Sequence, residues 1–281
     1  MISRVAVIGP GAMGSAIAGR LTEHGVSVLT SLAGRSEATR RRAEAAGMID
    51  ADDDAIASAD AILSIVPPAD AVALAQRFAA PLARAARKAI YADCNAVDVD
   101  TVHRIATIIA PTGAPFVDGA IIGLPPGPNG DPTVYLSGEP APALAPLADR
   151  GLTLRVMDAP VGAASALKMS FAGINKGITL LAAAMILGAT RAGAAESLRG
   201  ALAEHRPDVL ARLDRALPDM VPKAYRWAPE MEEIAAFLGD DAAGRAIYAG
   251  LAALCRRLAA DRTGAGTEIA TLTAFVAGDR R

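Results

Sequence analysis

The feature that most constrains this chain is the run Gly9-Pro10-Gly11-Ala12-Met13-Gly14. It stands between a short apolar stretch, Arg4–Ile8, and a stretch of helical periodicity, Ala12–His24. A strand, a glycine-rich turn and a helix in that order open a dinucleotide-binding βαβ unit. Gly9 permits the tight turn, Gly11 lets a pyrophosphate approach the backbone, and Gly14 lets helix and strand pack closely. The helix start then offers free N–H groups and a positive dipole end to the phosphates.

The alternation continues. Ser27–Ser31, Ala61–Val66 and Ala89–Ala92 read as strands, and Ser36–Ala46, Ala69–Ala80 and Asp98–Ile109 as helices. Pro115–Asp118, Thr133–Ser137 and Leu152–Met157 read as later strands, with a Pro- and Gly-rich loop over Leu124–Pro132. Beyond Pro160 the pattern is helical throughout, beginning with a helix over Ala163–Arg191, about 40 Å long at 1.5 Å per residue. The expected fold class is α/β: a doubly wound Rossmann sheet over residues 1–160, followed by an all-α domain over residues 161–281.

With 281 residues and 52% apolar content, two cores are within reach. A net charge of −2 gives no reason to expect nucleic acid or an anionic membrane as partner. The longest apolar run, Ile178–Ala189, is too short to cross a bilayer and reads as a buried helix. It is apolar on nearly every face, so a homodimer through the helical domain is expected. Cys94 and Cys255 form no metal-binding or redox spacing, no metal site is expected, and no leader pattern precedes the first strand, which together point to the cytoplasm.

The choice of cofactor turns on the second strand. Enzymes that take NAD usually carry an acid about 20 residues past the first glycine, bonded to the ribose 2′-hydroxyl. Residues 30–36 hold no Asp or Glu but do hold Arg35 and Ser36, with Arg40 a turn into the next helix. A guanidinium and hydroxyls suit a 2′-phosphate, so NADP (NADPH) is expected in preference to NAD. Val66 and Pro67, and Asn95, leave the carboxyl ends of further strands, where an open α/β sheet holds its ligand. Asn95 is the candidate contact to the nicotinamide side, although Asn is also a common turn residue.

The order of Gly9–Gly14, Asp93–Ala96, Asp118–Gly123, Gly162–Gly177 and Arg226–Ala235 resembles the β-hydroxyacid dehydrogenase superfamily, which includes 6-phosphogluconate dehydrogenases and, more distantly, imine reductases. The resemblance covers essentially the whole chain and is strongest to a bacterial branch with a poorly characterised C-terminal domain. It implies an acid/base lysine early on the long helix, a place that Lys168 occupies. The residues agree with this on their own terms. A lysine on an otherwise apolar helix is costly to bury unless it has a task or a partner, and an ammonium beside a developing alkoxide supplies its proton.

The superfamily's Asn four residues after the lysine is Ala172 here; Asn175 shares the helix face of Lys168 and is the candidate replacement. The superfamily's carboxylate-binding loop reads Asp118-Gly119-Ala120-Ile121-Ile122-Gly123 in this chain, with Ile122 in place of its Ser. That implies substrate contacts from Asp118, Gly119, Ala120, Ile122 and Gly123, and a bulkier or less acidic substrate. Trp227 and Glu230 are candidates to line the same pocket. The leading expectation is an NADP-dependent dehydrogenase or reductase of a hydroxy or oxo compound, with Lys168 as acid/base. The alternatives are an imine reductase and a non-catalytic NADP-binding redox sensor.

Overall fold

The computed structural model describes residues 2–128 and 130–278. Eight strands form one sheet: β1 (Arg4–Ile8), β2 (Ser27–Thr30), β3 (Ile49–Asp50), β4 (Ala61–Ser64), β5 (Ile90–Asp93), β6 (Phe116–Ile122), β7 (Thr133–Ser137) and β8 (Thr153–Val156). Their spatial order is β3-β2-β1-β4-β5-β6-β7-β8, parallel throughout except where β7 runs antiparallel to β6. Between them lie α1 (Ala12–Glu23), α2 (Glu37–Ala45), α3 (Asp53–Ala57), α4 (Ala71–Arg84) and α5 (Val99–Ile109). The order reverses between β2-β1 and β4, which places the ligand crevice at the carboxyl ends of β1 and β4.

Side chains alternate across the sheet, as the two-residue period of a strand requires. Val5 and Val7 enter a core that includes Ile17, Leu21, Val117 and Leu144. Ala6 and Ile8 enter the opposite core, with Ile62, Phe78, Tyr91 and Ile105. A sheet covered on both faces explains the near-continuous apolar strands.

Two features of this half depart from expectation. The Asp-rich segment after Met48 forms a two-residue strand, β3, and a single turn of helix, α3, whose N-terminus is capped by Asp52 accepting from the Ala55 N–H at 2.8 Å. Both elements are too short to leave a periodic signal. The strand expected to stop at Asp118 continues to Ile122, because β7 pairs with it from Asp118↔Ser137 to Ile122↔Thr133.

The helical half consists of α6 (Ala163–Arg191), α7 (Ala195–His205), α8 (Pro207–Met220), α9 (Ala224–Phe237), α10 (Ala242–Thr263) and α11 (Thr267–Ala277). Its core gathers Leu180, Ile186, Leu213, Leu217, Met231, Leu254 and Phe275, among others. The chain divides into two compact units, Met1–Lys168 and Met169–Arg281, so the boundary falls inside α6 rather than in the turn before it. With 29 residues, α6 is long and apolar enough to cross a bilayer by length and composition, although the twelve-residue apolar run inside it is not; one of its faces is packed in the helical core.

Candidate functional site

The glycine loop follows β1 and leads into α1. Gly9 has φ +100°, and a Cβ there would meet the Ile65 carbonyl oxygen at 2.3 Å. A Cβ on Gly14 would meet the Gly9 oxygen at 2.2 Å, whereas one on Gly11 would come no nearer to it than 4.0 Å. Gly11 and Ala12 are exposed, Pro10 is buried and Met13 is half-buried. No side chain caps α1, and its first turn carries no acid. The amide groups at this helix start are therefore open to an external anion, and the cradle fits a dinucleotide pyrophosphate.

At the end of β2, Ser36 caps α2, accepting from the Thr39 N–H at 3.3 Å. Arg35 is exposed. Arg40 donates to the carbonyl oxygens of Leu32 (2.7 Å) and Arg35 (3.3 Å), and so fixes the turn that carries Arg35. Two acids that sequence reasoning missed lie beside this turn. Asp50 on β3 accepts from the Leu32 N–H at 2.8 Å. Asp53 is bonded through both oxygens by Arg77, whose guanidinium also donates to Ser31 Oγ at 2.7 Å. Both acids thus have local partners. Nothing local in the sequence pairs Asp50 with Leu32; the pairing arises because β3 lies next to β2.

Asn95 is almost wholly buried. Its Oδ1 accepts from the Val66 N–H at 2.7 Å, and its Nδ2 donates to Ser64 Oγ at 2.7 Å and to Asp93 Oδ1. The side chain expected to reach the nicotinamide side instead pins the loop after β4 to the loop after β5. Val66 is half-buried and Pro67 exposed at that same rim.

The expected substrate loop is corrected in its first part. Asp118, Gly119 and Ala120 are buried within β6, where their backbones belong to the ladder with β7. A Cβ on Gly119 would meet Cys94 Sγ at 2.7 Å, so its glycine serves packing. Ile122 and Gly123 lie at the strand's exposed end. The Asp118 carboxylate fixes the start of α6. Its Oδ2 accepts from the Gly162 and Ser165 N–H groups, both at 3.0 Å, and from Ser137 Oγ at 3.1 Å, while Oδ1 accepts from Ser165 Oγ at 2.7 Å.

Lys168 follows three residues after Ser165, in the first two turns of α6. Burial holds its ammonium below the ordinary lysine range, against the raising influence of Cys94, Asp93 and Asp118. Burial also pushes the Asp93 carboxyl up to about 7 and the Cys94 thiol far above its usual range. Ser64, Asp93 and Ser137 were not singled out from the sequence, and Asp118 was read there as a substrate contact and not as the anchor of α6. The available signal was a polar residue closing an otherwise apolar run in β4, β5 and β7 and lying within β6.

In the helical unit, Asn175 is held by Arg212, which donates to its Oδ1 at 2.8 Å and to its carbonyl oxygen at 3.2 Å. Trp227 packs at the edge of the helical core with the Lys176 ammonium 5.4 Å from its ring centre, and Glu230 is ion-paired with the same lysine. Trp227 and Glu230 thus form one cluster around Lys176.

Comparison with known proteins places these features. Residues 4–148 match the NAD binding domain of 6-phosphogluconate dehydrogenase, and residues 189–258 match a domain of unknown function, DUF1932. An uncharacterised 28.5 kDa protein of Methanothermus fervidus is 32% identical over 168 residues, which are 59% of this chain and 62% of that protein. Among solved structures, a conserved protein of unknown function, described as structurally similar to 3-hydroxyacid dehydrogenases, is 28% identical with a TM-score of 0.77, over 92% of this chain and 98% of its own. The 3-hydroxyisobutyrate dehydrogenase of Mycobacterium tuberculosis shares the fold at 17% identity and a TM-score of 0.68, over 98% and 100% of the two chains. Imine reductases share the fold as well. A glycine cradle at the sheet's switch point, an acid-anchored long helix and a matching sequence over half the chain lead to one statement: the chain belongs to the 6-phosphogluconate dehydrogenase-like family of NAD-binding proteins.

Proposed function

We propose that this chain is an NADP-dependent oxidoreductase that interconverts a hydroxy and an oxo compound, with Lys168 as its acid/base. The observation that carries the reading is the place of Lys168, a desolvated lysine held just past the Asp118 anchor and under the influence of Asp93 at the carboxyl end of β5, Cys94 just beyond it and Asp118 within β6. Gly9–Gly14 and the start of α1 would hold the pyrophosphate, and the turn carrying Arg35, Ser36 and Arg40 would hold the 2′-phosphate. When bound, the reduced nicotinamide supplies a hydride. The ammonium of Lys168 gives a proton to the substrate oxygen as that oxygen gains negative charge, and as a free amine it takes the proton back in oxidation. A lysine whose burial lowers its proton affinity is suited to both directions.

Ile122 and Gly123 are the proposed substrate contacts of the first unit, and Asn175, held by Arg212, with Trp227 and Glu230 those of the helical unit. A homodimer through the helical unit is part of the same reading. It is supported by an exposed apolar stripe on α6, Phe171, Ile174, Ile178, Leu181 and Met185, at alternating steps of three and four residues.

The test is fluorescence titration with NADPH and NADH, followed by turnover on ketones, hydroxyacids and cyclic imines. NADPH should bind more tightly, and Arg35→Ala should narrow the gap. Equal or tighter NADH binding removes the cofactor assignment. Turnover confined to cyclic imines removes the hydroxy/oxo assignment, and no turnover on any of them favours a binding role.

A further inference from the structure

The end of β2 meets a guanidinium from another part of the sheet's cover. Ser31 follows that strand and stands about 20 residues past Gly9, the place where an enzyme that takes NAD carries its acid. Successive side chains of a strand point to opposite faces. Val28 enters the core that holds Ile17 and Leu21, and Leu29 enters the core that holds Phe78 of α4. Ser31, two residues on from Leu29, falls on the α4 side and meets Arg77, the chain neighbour of Phe78.

Arg77 is held in place by printed geometry of its own fork. Its Nε and Nη2 donate to the two carboxylate oxygens of Asp53, at 2.9 and 2.6 Å, and Nη2 also donates to Ser31 Oγ at 2.7 Å. Nη1 has no hydrogen-bond partner among the described residues, and the side chain is 37% exposed. A guanidinium already oriented by a carboxylate loses little freedom when its remaining N–H groups meet a phosphate. Ser31 Oγ accepts from Arg77, so its own O–H is left to donate.

Ser31, Ala33, Arg40 and Arg77 line one open groove of about 660 Å³, with the acids of residues 50–54 across it. Each acid already has a donor. Asp50 takes the Leu32 N–H, Asp52 the Ala55 N–H, Asp53 the Arg77 fork, and Asp54 the Arg84 guanidinium at 2.6 Å. Arg40 donates only to carbonyl oxygens among the described residues, so no carboxylate offsets its charge. The β2 side of the groove therefore presents two guanidinium groups and a hydroxyl. A ribose 2′-hydroxyl in NAD enzymes is met by an acid, whereas a 2′-phosphate needs donors.

We propose that Arg77 is a specificity-determining residue for the cofactor: a guanidinium on α4 that, with Ser31 and Arg40, receives the 2′-phosphate of NADP. This rests on the NADP reading proposed above and adds to it a residue from outside the turn between β2 and α2. Asp53 acts through Arg77, as the positioning residue that orients its fork.

The measurement is binding, not turnover. NADPH and NADH are titrated against the full chain by nicotinamide fluorescence. Displacement of NADPH by 2′,5′-ADP, which has the 2′-phosphate but no nicotinamide, reads the same contact alone. Arg77→Met should weaken NADPH and 2′,5′-ADP by about tenfold, the scale of one hydrogen bond to a charged group, and NADH by less than about twofold. An arginine that serves the fold alone would move both cofactors alike. Arg77→Lys keeps the charge and loses the fork. It should show the same selectivity with a smaller loss, and it carries the test if Arg77→Met does not fold.

Removing Arg77 also leaves Asp53 without its partner, so Arg77→Met is repeated with Asp53→Asn. The selective loss should persist in the double variant. Equal losses for NADPH and NADH, or NADPH affinity restored in the double variant, overturn the inference. They leave the NADP reading intact where the parent chain prefers NADPH. A parent chain without that preference removes the NADP reading, and the role of Arg77 with it.

Discussion

The two stretches of α6 are both apolar in composition, yet they are built into the molecule by different forces. Its first turn is fastened by polar groups. Asp118 and Ser137 take up the N–H groups of Gly162, Ala164 and Ser165, and Ser165 Oγ donates to Asp118 Oδ1. These bonds fix the helix where Lys168 emerges, and buried hydrogen bonds are directional enough to hold a side chain to a narrow range of positions. The stretch from Met169 onward is held by packing, with Leu180, Ala183, Ile186 and Leu187 in the helical core. Its other side leaves Phe171, Ile174, Ile178, Leu181 and Met185 exposed. The difference separates positioning from adhesion. A helix can be apolar throughout, but the proposed chemistry lies where its backbone is tied to charges, and the proposed association where its side chains lack cover.

The comparison breaks most visibly at Lys168. Lys168→Met should leave NADPH affinity nearly unchanged, because the glycine loop lies on other elements, and should lower single-turnover reduction by about 10²–10⁴-fold. A variant that reduces substrate at the parent rate would show that the polar end of α6 is structural alone. Next in size is Asp118→Ala, which removes the acceptor for three donors at the start of α6 and for Ser137. Losing one side of a buried charged network costs about 3–5 kcal/mol, measurable by urea unfolding. A loss below about 1 kcal/mol, the worth of an ordinary hydrogen bond, would mean that packing also holds this end of the helix.

The smallest expected effect concerns the apolar end. The double variant Ile174→Glu with Leu181→Glu places charges on the exposed stripe. Since surface changes cost little in an isolated fold, monomer stability should move by about 0.5 kcal/mol or less, while sedimentation should show weaker self-association. A parent chain that is already monomeric at micromolar concentration would remove the dimer proposal and leave the stripe without a stated use.

Much of this was legible in the residues. The βαβ opening, the parallel sheet and the 29-residue helix follow from local periodicity, and α6 spans Ala163–Arg191 as the pattern predicts. The positions near Asp118 were less legible. Motif resemblance alone implied a substrate loop there, but the partner strand β7 lies well downstream and no local pattern announces the pairing. Asn95 likewise read as a turn residue free to meet a ligand, until the neighbouring β4 loop supplied its partners.

What the sequence determined by itself is whatever depends on neighbours a few residues away: the glycines that permit a positive φ and close approach, the apolar period of each element, and a lysine early on a mostly apolar helix. What only the tertiary structure decided is which polar groups meet. Ser64, Asp93, Asp118 and Ser137 are spread over more than seventy positions of the chain, and strand register sets them in one buried row. Whether a carboxylate there anchors a helix or keeps an oxygen without a partner among the described residues depends on the donors that long-range pairing brings to it, and burial makes that difference large.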